Sequence, residues 1–166
     1  MEKLLNNCIV EILNANADLV SIAVKQRAKF EGWLKFELAN KLKESNKEIE
    51  VEYPYPNNSN QRADIFTNNA FIELKTPNTN YRVDGCKSCT RPITKNITSI
   101  IGDIQKLRTI GSNYEKYIAF VLFPIDNDNK YQEHIDQIED DGSVKLACSK
   151  VSIKTVTVLV CSANIQ

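Results

Sequence analysis

Two short apolar runs joined by a pair of asparagines constrain this chain more than any other feature. Residues 63–66 and 70–74 flank Thr67-Asn68-Asn69, and asparagine tolerates the left-handed backbone that a two-residue hairpin turn requires. An Asn68-Asn69 turn places Phe66 opposite Phe71, Ile65 opposite Ile72 and Asp64 opposite Glu73. Strand side chains alternate with period two, so Glu73 and Lys75 share the face of Asp64, while Ile65, Ile72 and Leu74 turn into a core. Directly opposed carboxylates have β-carbons about 5 Å apart and repel each other. The arrangement is awkward unless something positive binds there, and in outline it is a metal site. The plainer reading is the solvated face of a hairpin. Phe66 and Phe71 on the same face, and acids opposed to each other rather than to bases, count against that reading. A one-residue slip would undo the argument, because Asn-Asn is a less strict turn signal than Asn-Gly.

The 166 residues suit a single domain, with residues 1–17 as an N-terminal helical extension and a core over about 19–161. With 42% hydrophobic and 25% charged residues the composition is that of an ordinary globular protein. The formal net charge is zero, which excludes the global basic excess of a non-specific nucleic-acid binder and leaves polyanion contact to local patches. Such patches exist: Lys25, Arg27, Lys29, Lys35, Lys41 and Lys43 crowd the early helical region, and Arg82, Lys87, Arg91, Lys95, Lys106 and Arg108 follow the hairpin. Lysine-rich helices are also commonly just solvated. No stretch approaches the roughly 20 apolar residues of a membrane span and no signal-peptide pattern opens the chain, so the expectation is no membrane and a cytoplasmic location. Five scattered cysteines do not resemble a secreted disulfide framework. Cys86-Lys-Ser-Cys89 has half of a zinc-site spacing, a coincidence unless a symmetric dimer supplies the other half.

Helical periodicity covers residues 4–13 and 19–43, and 49–55 reads as a strand ended by Pro54 and Pro56. The hairpin follows, then an irregular stretch over 77–94. An amphipathic helix over 97–110 carries Ile97, Ile100, Ile101, Ile104 and Leu107 on one face and closes at Gly111. A buried strand over 117–123, a short helix over 131–139 and a β-branched strand over 151–161 complete an α/β arrangement around a central mixed sheet flanked by helices. In the 19–43 helix, Phe30, Leu34, Leu38 and Leu42 form an apolar stripe, and Glu31 falls within it. A carboxylate there is costly unless paired or coordinated. The bland alternative is a glutamate that buries its stem and reaches solvent or Lys35.

An acid on a first helix, an aspartate on one strand and Glu-x-Lys on the next resemble the PD-(D/E)XK nuclease superfamily, here as Glu31, Asp64 and Glu73-Leu74-Lys75. The resemblance spans roughly residues 19–123 and implies the restriction-endonuclease-like αβββαβ core. Ala63 stands where the superfamily's name has proline. The resemblance implies that Asp64, Glu73 and the main-chain carbonyl of Leu74 bind Mg²⁺, for which Mn²⁺ can substitute, with Glu31 holding its water shell or a second ion. Hard oxygen ligands of this kind suit those cations. Lys75 would orient or deprotonate the attacking water and counter charge on the transferring phosphate.

The function expected is hydrolysis of phosphodiester bonds, with DNA the preferred substrate and an RNA-directed nuclease as one alternative. A nucleic-acid-binding or structural module of the same fold without cleavage is the other alternative. Double-strand cleavage needs two sites, which makes a homodimer an expectation of the chemistry. Gln105 or Lys106 is a candidate auxiliary residue, and Arg62, Tyr81 and Arg82 are candidates for phosphate contact or base stacking.

Overall fold

The computed structural model describes residues 1–44, 48–126 and 128–166. It has an α/β architecture: three helices, α1 (Glu2–Ala15), α2 (Ala17–Gln26) and α3 (Glu31–Lys43), precede three strands, β1 (Ile49–Tyr55), β2 (Asn58–Thr67) and β3 (Ala70–Lys75). Then come α4 (Thr94–Arg108), β4 (Glu115–Leu122), α5 (Tyr131–Gly142), β5 (Ala147–Ile153) and β6 (Val156–Asn164). The six strands form one sheet in the order β1-β2-β3-β4-β6-β5. β3 and β4 run parallel, joined through α4, and every other neighbouring pair is antiparallel.

The sheet has a core on each face. On one, Leu5, Ile9, Val24, Leu34 and Leu38 of α1–α3 pack against Ile65, Ile72, Leu74 and Val121. On the other, Ile97, Ile100, Ile104, Leu107, Ile135 and Ile138 of α4 and α5 pack against Phe71, Ile118, Phe120 and Leu122. The central strands β3 and β4 are buried on both sides, which is why they read as near-continuous apolar runs. The helix expected as an N-terminal extension belongs to the first core: Leu5, Ile9 and Leu13 are fully buried, and Asn6 Nδ2 donates to the carbonyl of Ala147 across the chain at 2.8 Å.

The Asn68-Asn69 turn forms as its chemistry demands, with φ of 45° and 67°, and it fixes the pairs Thr67–Ala70, Phe66–Phe71 and Ile65–Ile72. Pro54 lies inside β1 rather than ending it, which an edge strand permits because one side of its backbone has no ladder to serve.

Two elements differ from expectation. The single helix over 19–43 is two, divided where Arg27 adopts a left-handed conformation (φ 55°). No glycine or proline marks the break. Tertiary contacts make it: the Arg27 guanidinium donates to the carbonyls of Thr79, Tyr81 and Lys87, and Phe30 packs on Phe123 with ring centroids 4.9 Å apart. The final strand over 151–161 is likewise two, folded at Lys154-Thr155, with Lys154 at φ 54°. That hairpin puts Cys148 directly opposite Cys161, and the two form a disulfide that their spacing in the sequence did not suggest.

Candidate active site

The candidate site lies at the carboxyl end of β3, where the start of α3 and the interior of α4 meet the sheet from its two sides. Ligand sites of α/β sheets form in this position, outside the carboxyl ends of parallel strands. The β2–β3 ladder ends at Ile65–Ile72, one pair short of the expected Asp64–Glu73 opposition. In its place the Asp64 side chain takes over a backbone group, Oδ2 accepting from the Leu74 amide at 2.8 Å. The alternation of both β1 and β2 breaks at this level. Ala63 and Ile65, two residues apart, enter opposite cores, and across from Asp64 the backbone of Glu52 takes φ 54°. Strain of this kind in a residue other than glycine costs on the order of 1–3 kcal/mol and collects at functional sites. Glu52 and Asp64 share one cation: Lys35 pairs with Glu52 and stands 3.4 Å from Asp64 Oδ1.

Glu73 is 6% exposed, and its Oε1 accepts from the hydroxyl of Tyr55. Burial is the main influence on this carboxyl and, with the nearby acids Asp64 and Asp103, pushes its pKa up to about 8, against the lowering effect of the Tyr55 hydrogen bond and Lys75. Burial also raises the Tyr55 phenol, with Glu73 adding to it, so Tyr55 keeps its proton to donate. The fold therefore carries a carboxyl that burial and neighbouring acids push toward its neutral form.

Lys75 is in phase with Glu73, as the period-two alternation predicts. Its Nζ lies 3.1 Å from Asp103 Oδ2 and 4.0 Å from Glu31 Oε1. Burial lowers the pKa of this ammonium, but the charges of Asp103 and Glu31 outweigh it and the net shift is upward. Lys75 is thus held as a cation, which suits it to orienting and charge-countering. Glu31 opens α3, where an acid is favoured by the helix dipole, and does not sit mid-helix. Its Oε2 accepts from the Thr76 amide at 3.1 Å, which draws the start of α3 to the end of β3.

All four expected side chains, Glu31, Asp64, Glu73 and Lys75, thus converge with the backbone of Leu74. Sequence reasoning missed two neighbours, Asp103 and Tyr55, and misplaced a third, since Lys35, offered as a partner for Glu31, pairs with Glu52 and Asp64. Asp103 is 3% exposed and bridges Lys75 and Lys106, the latter at 2.6 Å. The signal was available: Ile100, Asp103 and Leu107 lie on one stripe of α4, so Asp103 is an acid in an apolar face, the same oddity that pointed to Glu31. Tyr55 and Lys35 carried no comparable mark. Of the two auxiliary candidates, Lys106 reaches the site only through Asp103, and Gln105 is exposed. Tyr81 is buried and stacks on His134, so it has no free face for a base. Arg62 is exposed and donates to the carbonyl of Glu52 at 2.8 Å, and Arg82 lines a separate depression with Asp84, Asp126 and Asp128.

Among the described residues no three His, Cys, Asp or Glu side chains stand close enough together to grip a metal ion unaided. Cys86 and Cys89 are both free thiols. No single helix among those residues is long and apolar enough to cross a membrane. The chain matches no family model, no curated protein and no solved structure.

Proposed function

We propose that the chain is a divalent-metal-dependent endonuclease that hydrolyses phosphodiester bonds, with DNA as substrate, on the restriction-endonuclease-like αβββαβ core of the PD-(D/E)XK superfamily. The observation that carries this reading is the convergence of Asp64, Glu73 and Lys75 from one hairpin with Glu31 from α3 at the carboxyl end of β3. The donor set fits a hard divalent cation. Mg²⁺ needs only one or two protein carboxylates and keeps several waters, and a buried Glu73 driven toward neutrality is a group that a cation would recharge. Lys35 already sets an ammonium 3.4 Å from Asp64 Oδ1, so this carboxylate is one that draws positive charge.

Asp64, Glu73 and the Leu74 carbonyl would hold the ion, Mg²⁺ or Mn²⁺, with Glu31 facing its water shell. When bound, the ion supplies Lewis-acid activation of water and charge for the phosphate oxygens. Lys75, fixed by Asp103, offers its ammonium to the non-bridging oxygen that gains charge as water attacks in line. Tyr55 orients Glu73, and the Leu74 amide orients Asp64, so that both carboxylates are set before substrate arrives.

One observation favours a second reading, a nucleic-acid-binding module that does not cleave: every acid of the site already has a partner, lysine, tyrosine or backbone amide. The test is plasmid nicking with Mg²⁺ by the wild type, Asp64→Ala and Lys75→Ala, with an RNA substrate in parallel. Cleavage lost in both variants supports the nuclease. Cleavage retained in both sinks the site, and binding with no cleavage of DNA or RNA favours the silent module.

A further inference from the structure

A cavity of about 540 Å³ beside the candidate site is lined by Arg27, Lys29, Lys87, Arg91 and Lys95 and by no acidic residue. Among the described residues none of these five cations takes part in an ion pair, although the chain as a whole is neutral. Unpaired like charges around a concavity raise its potential and concentrate anions there.

The cavity is a built feature and not a chance gathering of surface lysines. The Arg27 guanidinium is locked on three carbonyls of the 79–87 stretch. Asn78 Nδ2 donates to the Arg27 carbonyl at 3.0 Å, Asn96 Nδ2 to the Asn78 carbonyl at 2.8 Å, and the Lys87 amide to the Lys25 carbonyl at 2.8 Å. These bonds tie the α2–α3 turn, the segment after β3 and the first turn of α4 into one rim. The Arg27 charge stays unneutralised because its partners are carbonyls.

Each of the three adjoins along the chain an element of the candidate site: α3, β3 and the later turns of α4. Lys29 lies two residues before Glu31, Asn78 three after Lys75, and Ser99, which also lines the cavity, one helical turn before Asp103. A turn of α-helix is about 5.4 Å, so on each of these elements the lining of the cavity lies within a few residues of the site. Their charges are complementary in use: Glu31, Asp64, Glu73 and Asp103 repel a polyanion, and cations within about a Debye length, roughly 10 Å at 0.1 M salt, are needed to hold one there. Five cations exceed the charge of one small anion and suit a run of phosphates.

We infer that this cavity is the subsite that grips the phosphodiester backbone of the nucleic-acid strand next to the bond to be cut. The inference rests on the nuclease reading for its substrate class but is read out by binding alone. Lys87, Arg91 and Lys95 are exposed, so their replacement leaves the rim's internal bonds intact.

The experiment measures fluorescence anisotropy of a labelled 20-base-pair DNA duplex in EDTA, over a salt series, for the wild type and the Lys87→Gln/Arg91→Gln/Lys95→Gln variant. A second triple variant, Lys130→Gln/Lys145→Gln/Lys154→Gln, serves as the control. Each phosphate contact contributes about 0.9 to the slope of log K against log salt. The cavity variant should lose about two to three units of slope and at least tenfold in affinity, and the control should keep both. An unchanged slope in the cavity variant, or an equal loss in the control, overturns the subsite. So does a loss seen only with 5′-phosphorylated ends, which would mark a terminal-phosphate pocket. A wild type that nicks plasmid while the cavity variant binds unaltered would sink the subsite and leave the nuclease reading standing. A slope that falls in a protein that never cleaves would do the reverse.

Discussion

The hairpins β2–β3 and β5–β6 are alike at their turns and opposite at their open ends. Both turn through two residues, Asn68-Asn69 in one, where both are left-handed, and Lys154-Thr155 in the other, where Lys154 is. The second is paired throughout, seven residue pairs from Ile153–Val156 to Ala147–Ser162, with the Cys148–Cys161 disulfide across it. The first pairs for three residues and then parts, β2 staying with β1 and β3 with β4, and the parted strands carry Asp64 and the Glu73-Leu74-Lys75 run. A ladder closed along its whole length uses the backbone groups between its two strands for stability alone. An open one leaves the Leu74 amide for a side chain and room for charges to meet.

The largest effect expected from breaking this contrast is chemical. Asp64→Ala or Lys75→Ala should lower Mg²⁺-dependent nicking at least 100-fold, about 2.7 kcal/mol of transition-state stabilisation, with the circular dichroism spectrum unchanged. The closed hairpin should answer in stability. Reducing Cys148–Cys161, which closes a loop of sequence separation 13, should cost about 3 kcal/mol in denaturant titrations and leave nicking in native buffer intact. A midpoint insensitive to reductant would show that the β-ladder alone holds β5 to β6.

Next in size is the cost of the open end. Glu73 holds its proton in the folded chain up to about pH 8, and it ionises near 4.5 when unfolded. Between those values the unfolded state binds fewer protons, so stability should fall as pH rises through the window and level off above it. Glu73→Gln keeps an acceptor for Tyr55 and removes the charge. It should raise stability above pH 8 by on the order of a few kcal/mol and flatten the pH profile of thermal unfolding, and a profile as steep as the wild type's would remove Glu73 as its cause. Smallest is the turn. Lys154→Gly relieves a left-handed backbone and should stabilise by about 1 kcal/mol, less the exposed Lys154–Asp18 pair, worth at most about 0.5 kcal/mol. Loss of stability instead would show that the pair outweighs the strain.

Why one turn was legible and the other was not follows from residue chemistry. Asparagine tolerates positive φ and so announces the β2–β3 turn. Lysine and threonine carry no such signal, and the β-branched run over 151–161 read through the bend as one strand. The Arg27 break was hidden in the same way: helical periodicity continues across it, and the bonds that bend it come from carbonyls 52 to 60 residues away.

The sequence by itself determined the alternating strands, the turn between Asn68 and Asn69, the phase that puts Lys75 with Glu73, and the apolar stripes of the helices, because each depends on neighbours within a few residues. Only the tertiary structure decided that Glu31 starts a helix, that Asp103, Tyr55 and Lys35 complete the charge cluster, and that five basic residues from three elements surround one cavity. Those placements depend on which distant backbone groups need partners and on which charges burial forces together, and no local pattern in the chain encodes either.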